Sequence, residues 1–423
     1  MSADRFGNAI DPSVGYARGT VLRSSTDEVR RLRRAQALAG RIVEERGPDS
    51  LGIFTGNPRY FPVAPEDLST LCEEWVGPGL FARDLSAAAI AHMGGSGTEA
   101  VAVANRTSAG IVAAILALCD DRPVVSVVPE GDRSHASVVR GCRLAKVALA
   151  EVEARHPVGP AIAEHQPKLV VVTTVTSTLA RLDDEDSRAA IAAAKAGGAT
   201  VLLDEAYGAR LRPVLHCGAP SLALGADLAI TNTDKAGLMG PRAGVLVGDP
   251  AAVVAVLAKA SELGMEARAP IAAGALRSLQ AFDPETLREE ARDGWQIADA
   301  LVGRFGEAVV ARSDLGPMLD EQDVLALLLA RSAAARTPIV PAEATAAAGM
   351  VLLRERGVLT TNTHGQPGGR VSLRFKPTAG ALARLGGAES LAAGLDAALD
   401  EVAGRLDDPA WFRDLLFGEG AAP

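Results

Sequence analysis

The sequence predicts an α/β protein: a large doubly wound domain on a mainly parallel, seven-stranded sheet, joined to a smaller α+β domain. Three observations carry this. Between about residues 90 and 250, short apolar runs alternate with alanine-rich stretches long enough for helices. The runs show no polar alternation, as expected of strands buried on both faces of a sheet. Beyond residue 260 the texture turns helical, with only scattered strand candidates.

In chain order, residues 26–46 form an amphipathic, highly charged helix, and residues 47–64 are rich in Gly, Pro and aromatics and read as a loop. The apolar runs follow at 100–105, 124–128, 146–152, 169–174, 200–204, 227–231 and 243–248. Stretches such as TSAGIVAAILAL and DSRAAIAAAKAGG supply helices between them. Residues 284–305 and 388–406 read as amphipathic helices, with strand candidates at 322–330, 356–361 and 370–376. The expected division is 1–65, an N-terminal helix and loop that joins the small domain or a dimer interface; 66–260, the large domain; and 261–423, the small α+β domain. The tail GEGAAP is expected to fray.

A chain of 423 residues is too long for one small core, which agrees with two domains. Its net charge of −9 makes it a poor candidate for non-specific nucleic-acid binding, which needs a basic surface, although a local basic patch is compatible with that charge. Cys72, Cys119, Cys142 and Cys217 are widely spaced, so neither a zinc site nor a disulfide framework is expected, and no metal is assigned. The first residues lack the apolar core of a signal peptide, and no uncharged apolar run reaches the roughly 18–20 residues of a membrane span. A cytoplasmic protein without membrane contact is expected.

In open α/β sheets, ligands bind beyond the carboxyl ends of the strands. Five such ends carry polar groups. Asn105-Arg106-Thr107-Ser108 opens an apolar helix, where hydroxyls and free N–H groups make an anion site, although an ordinary helix cap has the same composition. Ser134-His135-Ala136-Ser137 offers a ring that can stack on a flat heterocycle. Thr173-Thr174-Val175-Thr176-Ser177 places hydroxyls near the sheet edge. Asp204 closes a hydrophobic strand, where an acid without a cationic partner is costly; a pyridinium N–H would supply one, and metal binding or helix capping are the alternatives. Lys235 follows Thr231-Asn232-Thr233-Asp234 in a loop where a lowered pKa would let it form a Schiff base. Gly94-Gly95-Ser96-Gly97 lacks both a preceding strand and the third glycine of a dinucleotide fingerprint.

The order of a hydroxyl-bearing helix start, a histidine, a strand-end aspartate and a lysine resembles the fold-type I (aspartate-aminotransferase-like) enzymes that use pyridoxal 5'-phosphate (PLP). The stretch from Asp234-Lys235 through Gly240-Pro241-Arg242-Ala243-Gly244 is most similar to the selenocysteine synthase (seryl-tRNA selenium transferase) branch, and Asn105-Arg106-Thr107-Ser108 to its shorter archaeal and bacterial relatives. The resemblance is clearest over residues 90–250. It implies that Lys235 forms the Schiff base and moves protons at Cα, Asp204 pairs with the ring nitrogen, and His135 stacks on the ring. Thr107, Ser108 and Thr233 would hold the phosphate, and Thr176, Ser177 or Tyr207 would lie near the ring hydroxyl. Arg370 in Arg-x-Ser-Leu would clamp a substrate carboxylate, with Arg374 competing for that job, and Arg242 would meet phosphate or a substrate group.

Selenium transfer to tRNA is not expected: with the first strand-end site already at residue 105, the separate N-terminal tRNA-binding region of those synthases is expected to be missing, and the chain is acidic. Small amino-acid chemistry remains. The most specific expectation is O₂-dependent oxidative decarboxylation of a glycyl-nucleoside to a carboxamide, as in capuramycin-type antibiotic pathways; the alanine-rich, arginine-over-lysine composition suits the bacteria that host them. β-Elimination or β-substitution, and transamination or aldol cleavage, are the alternatives, with a non-catalytic PLP-binding protein as the rival of another class. The resemblance implies a homodimer, with Asn57, Arg59 and Tyr60 as candidates to reach a second chain.

Overall fold

The computed structural model describes residues 3–418 except Arg155, Ala333, Ala335, Arg370 and 365–368. Two compact units emerge, one of residues 57–288 and one of residues 1–56 with 289–423.

The larger unit holds a seven-stranded sheet of β1 (Ala100–Ala104), β2 (Val124–Val128), β3 (Leu149–Glu153), β4 (Leu169–Thr173), β5 (Thr200–Asp204), β6 (Leu228–Asn232) and β7 (Gly244–Gly248). Their spatial order is β1-β7-β6-β5-β4-β2-β3. The pairs among β2 to β6 are parallel, whereas β7 runs antiparallel to both β6 and β1. β2, β4, β6 and β7 are buried at every position, as their unbroken apolar runs require.

Alternate residues of these strands feed two separate cores. Val125, Val127, Val170, Val172, Val201 and Leu203 pack with Phe81, Leu85 and Leu276 from the helices Gly77–Met93 and Ala269–Gln280. Val124, Leu169, Val171 and Leu202 pack with Ile111, Ile115, Val138 and Val256 from the helices Thr107–Leu118, Ala136–Ala145 and Pro250–Glu262. A sheet covered on both faces is the doubly wound arrangement that the sequence predicts. Each fully buried Leu contributes about 1.5–3 kcal/mol.

The smaller unit is built around the helices Ser25–Arg46, Pro341–Arg356 and Ala388–Ala403. It carries a three-stranded antiparallel sheet (Val310–Ala311, Met318–Leu319, Leu373–Arg374) and a parallel pair of Gly52–Ile53 with Val358–Leu359. The boundaries fall at 56/57 and 288/289 rather than at 65/66 and 260/261. The reason is that the helix Ala269–Gln280 supplies Ala272, Ala273 and Leu276 to the core of the large sheet.

Residues 322–330, expected as a strand, lie in the helix Glu321–Ser332. The run is rich in Leu and Ala, which favour helix, and the Asp320 carboxylate accepts the Gln322 N–H at 2.9 Å at its start. The strands expected over 356–361 and 370–376 shrink to two residues each, Val358–Leu359 and Leu373–Arg374.

Candidate active site

The register brings the strand ends to one edge. Thr173 of β4 stands opposite Asp204 of β5, and Asp204 opposite Ile230 of β6. β7 begins at that same edge, with Gly244 paired to both Asn232 and Ala104. Loops leaving this edge carry nearly all the expected site residues of the large unit.

Asp204 is buried, and among the described residues its Oδ1 has no hydrogen-bond partner. Burial pushes its carboxyl up to about 6, against the opposing pull of Lys235 and of the Ala206 N–H that donates to it. The neighbouring Glu205 is also buried, but its Oε1 accepts from Arg212 at 2.9 Å. Each of the two adjacent acids keeps one buried oxygen without a partner among the described residues, Asp204 Oδ1 and Glu205 Oε2, but Glu205 has the Arg212 guanidinium to meet its charge, whereas Asp204 makes no such ion pair.

Lys235 follows Asp234 in the loop after β6. Its Nζ lies 4.9 Å from the centre of the buried Tyr207 ring. Its amine is held below the ordinary lysine value first by desolvation, with Arg59 and Arg242 adding to that effect and Asp234 and Asp204 opposing it. A lysine so placed has a larger neutral, nucleophilic fraction than a solvated one.

His135 caps the helix Ala136–Ala145. Its Nδ1 accepts the Ser137 N–H at 3.2 Å and lies 2.6 Å from Ser137 Oγ. Nδ1 is thus the acceptor, and Nε2 carries the proton of the neutral ring. Desolvation, followed by Lys235, Arg106 and Arg140, pushes the imidazole down to about 4. His135 is nevertheless open to solvent.

The helix Thr107–Leu118 begins with Arg106 at its cap and with no side-chain hydrogen bond capping it. Its first N–H groups and positive dipole end face the same edge. Gly244 lets β7 lie against this start, since a Cβ there would stand 2.6 Å from the Thr107 nitrogen. Arg106 is electrostatically coupled to Arg59, Arg140 and Asp234, and Arg242 to Arg59 and Arg106. Arg59 Nε and Arg242 Nε lie 3.3 and 3.7 Å from Asp234 Oδ2. Several guanidinium groups beside a helix N-terminus make a strong anion site.

Not every expected residue faces this site. The Thr233 hydroxyl is buried and donates to the Pro241 carbonyl at 2.5 Å, so it braces the loop rather than an incoming phosphate. The Thr176 hydroxyl is buried and donates to Asp132, as does that of Thr178. Ser108 and Ser177 are partly exposed. Arg374, in the smaller unit, is buried with Nε donating to Ser372 Oγ at 2.8 Å, and Arg370 lies outside the described residues. Arg59 stands within the anion site, where it pairs with Asp234. Asp132, Arg140 and Arg210 were not singled out by the sequence; they sit in no motif, and a buried Arg leaves no periodic signal.

Residues 80–383 match the family model for aminotransferase class I and II. The chain belongs to that family. It is 33% identical over 399 residues to a "UPF0425 pyridoxal phosphate-dependent protein" of Methanothermobacter thermautotrophicus, covering 94% of this chain and 100% of that protein. A protein of the same name from Methanosphaera stadtmanae is 28% identical over 350 residues, or 82% of this chain and 88% of that one. The fold is similar to that of histidinol-phosphate aminotransferase from Sinorhizobium meliloti, with a TM-score of 0.56 at 18% identity over 88% of this chain and 95% of that one. It is also similar to a SepCysS–SepCysE N-terminal domain complex, with a TM-score of 0.57 at 13% identity over 85% of this chain and 99% of that one. This aminotransferase-family chain is a PLP-dependent enzyme of the aspartate-aminotransferase fold.

The site fits that cofactor by its own geometry. The open Asp204 Oδ1 suits a pyridinium N–H, and the uncapped helix start with its arginines suits a phosphate. Among the described residues, no helix is long and apolar enough to cross a membrane, and no His/Cys/Asp/Glu group is placed to hold a metal ion.

Proposed function

We propose that this family member carries PLP on Lys235 and uses it to break a bond at Cα of an amino-acid substrate. The observation that carries this reading is the buried Asp204 with one unpaired oxygen at the strand edge that also presents Lys235. When bound, PLP supplies the electron sink for the carbanion left at Cα.

The protein's own groups divide the remaining work. Asp204 would accept the ring N–H on its open Oδ1 and so keep the ring protonated. His135, kept neutral first by desolvation and oriented by the Ser137 N–H, would stack on the ring. The Thr107 and Ser108 N–H groups, with Arg106 and Arg242, would hold the phosphate. Tyr207, which stands beside Lys235, or Ser177 would lie near the ring hydroxyl, and the Lys235 amine would move the proton at Cα. Arg370, or Arg374 as the competing candidate, binds the substrate carboxylate.

The finer reading is oxygen-dependent oxidative decarboxylation of a glycyl-nucleoside-like amino acid by a homodimer. It is favoured by the resemblance and by the alanine-rich, arginine-over-lysine composition. The first test is the absorption spectrum of the purified protein beside Lys235→Ala, before and after borohydride. A visible band lost on reduction, with a covalent adduct on Lys235 only, supports the PLP site; no band after adding PLP overturns it. Amino acids and glycyl-nucleosides then follow in an oxygen electrode. Oxygen uptake with carboxamide formation supports the finer reading. Release of a keto acid without oxygen replaces it with elimination, and dependence on an amino acceptor replaces it with transamination.

A further inference from the structure

Arg210 is buried, lies in the helix Gly208–Leu215, and has no place in the roles given above. Its guanidinium reaches both loops that carry the central pair. One nitrogen donates to the Ala206 carbonyl and to Asn232 Oδ1, each at 3.0 Å. The other donates to Thr231 Oγ1 at 2.9 Å and lies 3.3 Å from His92 Nε2. Ala206 stands two residues after Asp204, and Thr231 and Asn232 stand four and three before Lys235. The same loops are cross-linked directly. The Thr231 hydroxyl donates to the Glu205 carbonyl at 2.8 Å, and Asn232 Nδ2 to the Ala206 carbonyl at 2.6 Å. The chain of bonds ends on the acid itself, because the Ala206 N–H donates to the Asp204 carboxylate.

From this network, resting on the PLP reading above, we infer that Arg210 is a positioning residue that fixes the Asp204 carboxylate and the Lys235 amine relative to each other. A planar guanidinium with five N–H donors can hold acceptors from two loops at once; an ammonium or an amide cannot span them in the same plane. His92 suits this arrangement, since burial and the Arg210 charge push its ring down to about 3, so it meets the cation as a neutral acceptor. Preorganisation of this kind sets how well two groups grip opposite ends of one ring, without contact between Arg210 and the ring.

The test compares wild type, Arg210→Met, Arg210→Lys and Asn232→Leu. Two readouts are followed: the pH midpoint of the visible band of the PLP-loaded protein, and the rate at which PLP-stripped protein recaptures PLP on Lys235, trapped with borohydride. Arg210→Met is expected to move the midpoint by about one pH unit, a tenfold change in that equilibrium, and to slow recapture roughly 10-fold or more. Arg210→Lys should restore part of both. Asn232→Leu should shift both in the same direction, and the double variant should be no worse than the worse single, as for members of one network. Folded variants that titrate and recapture like wild type overturn the inference. If Arg210→Met does not fold, Asn232→Leu and the isosteric Thr231→Val decide it by the same readouts. Absence of any PLP band in wild type sinks the PLP reading instead, a separate outcome.

Discussion

Two buried carboxylates, one in each unit, show how the same burial serves different ends. Glu343 in the smaller unit accepts the Val21 and Leu22 N–H groups on Oε1 at 2.6 and 2.8 Å, and the Val340 N–H on Oε2 at 3.2 Å. Asp204 in the larger unit has the Ala206 N–H, and an Oδ1 without a partner among the described residues. Desolvation raises the pKa of both. Glu343 uses its lone pairs to fasten the N-terminal segment to the start of the helix Pro341–Arg356, which is scaffold work. Asp204 withholds one, and an acid kept unsatisfied in the interior costs stability unless a ligand completes it. The two sites should therefore answer substitution in opposite directions.

The largest effect belongs to the site. Lys235→Ala should abolish borohydride-trapped PLP outright while leaving the melting curve of the PLP-free protein near wild type, since Lys235 is partly exposed and its burial disfavours its charge. Mass spectrometry of the reduced protein checks the first half, and a covalent adduct on another lysine would refute the assignment. Next comes the scaffold acid. Glu343→Ala strands three backbone N–H groups and opens a cavity, and should cost about 3–5 kcal/mol, read as a drop in the urea midpoint without PLP. A cost under about 1 kcal/mol would mean that the Glu343 carboxylate does not hold the N-terminal segment in place.

Asp204→Asn should do the reverse. The folded carboxyl titrates at about 6 against an ordinary 3.8, so the folded state holds its proton more tightly than the unfolded state. That preference stabilises the fold fully below the unfolded value and is lost as pH rises through about 6. Removing the charge should therefore make the PLP-free protein more stable at pH 7 by about 2–3 kcal/mol, with no gain near pH 3.5. The same variant should capture PLP far more weakly, because the ring N–H loses its anionic partner. Stability curves at the two pH values, with and without PLP, measure both halves. A variant no more stable than wild type at pH 7 would show that Oδ1 is satisfied in solution.

Much of this contrast was legible in the sequence. The uninterrupted runs at 124–128 and 169–174 forecast a sheet covered on both sides, and an acid at the end of the run 200–204 had no role in a core. What escaped were features that depend on contacts distant in the chain. The run at 322–330 has the length and hydrophobicity of a buried strand, and periodicity alone does not separate the two for short apolar segments. The Thr233 hydroxyl looked free for phosphate, but its acceptor is the Pro241 carbonyl eight residues on. The Arg59–Asp234 pair joins residues 175 positions apart, which no motif announces. Arg210 carried no signal at all, because its acceptors come from two strand ends and a helix that only the fold assembles.

The smallest effect concerns His135, and it separates a stacking role from an acid–base one. Its ring is pushed down to about 4, so it is neutral throughout the neutral range, and its Nδ1 is already committed to the Ser137 N–H. If its work is to present a flat, uncharged face, His135→Phe should keep PLP affinity within roughly 3-fold of wild type, whereas His135→Ala should lose about 10-fold, the scale of one aromatic contact. The pH dependence of PLP capture between about 6 and 8 should then be the same in wild type and His135→Phe, because no proton on this ring changes hands there. A bend in the wild-type profile near pH 6.5 that disappears in His135→Phe would mean that the imidazole titrates in the working range. Stacking alone would then not account for its position at the edge of the sheet.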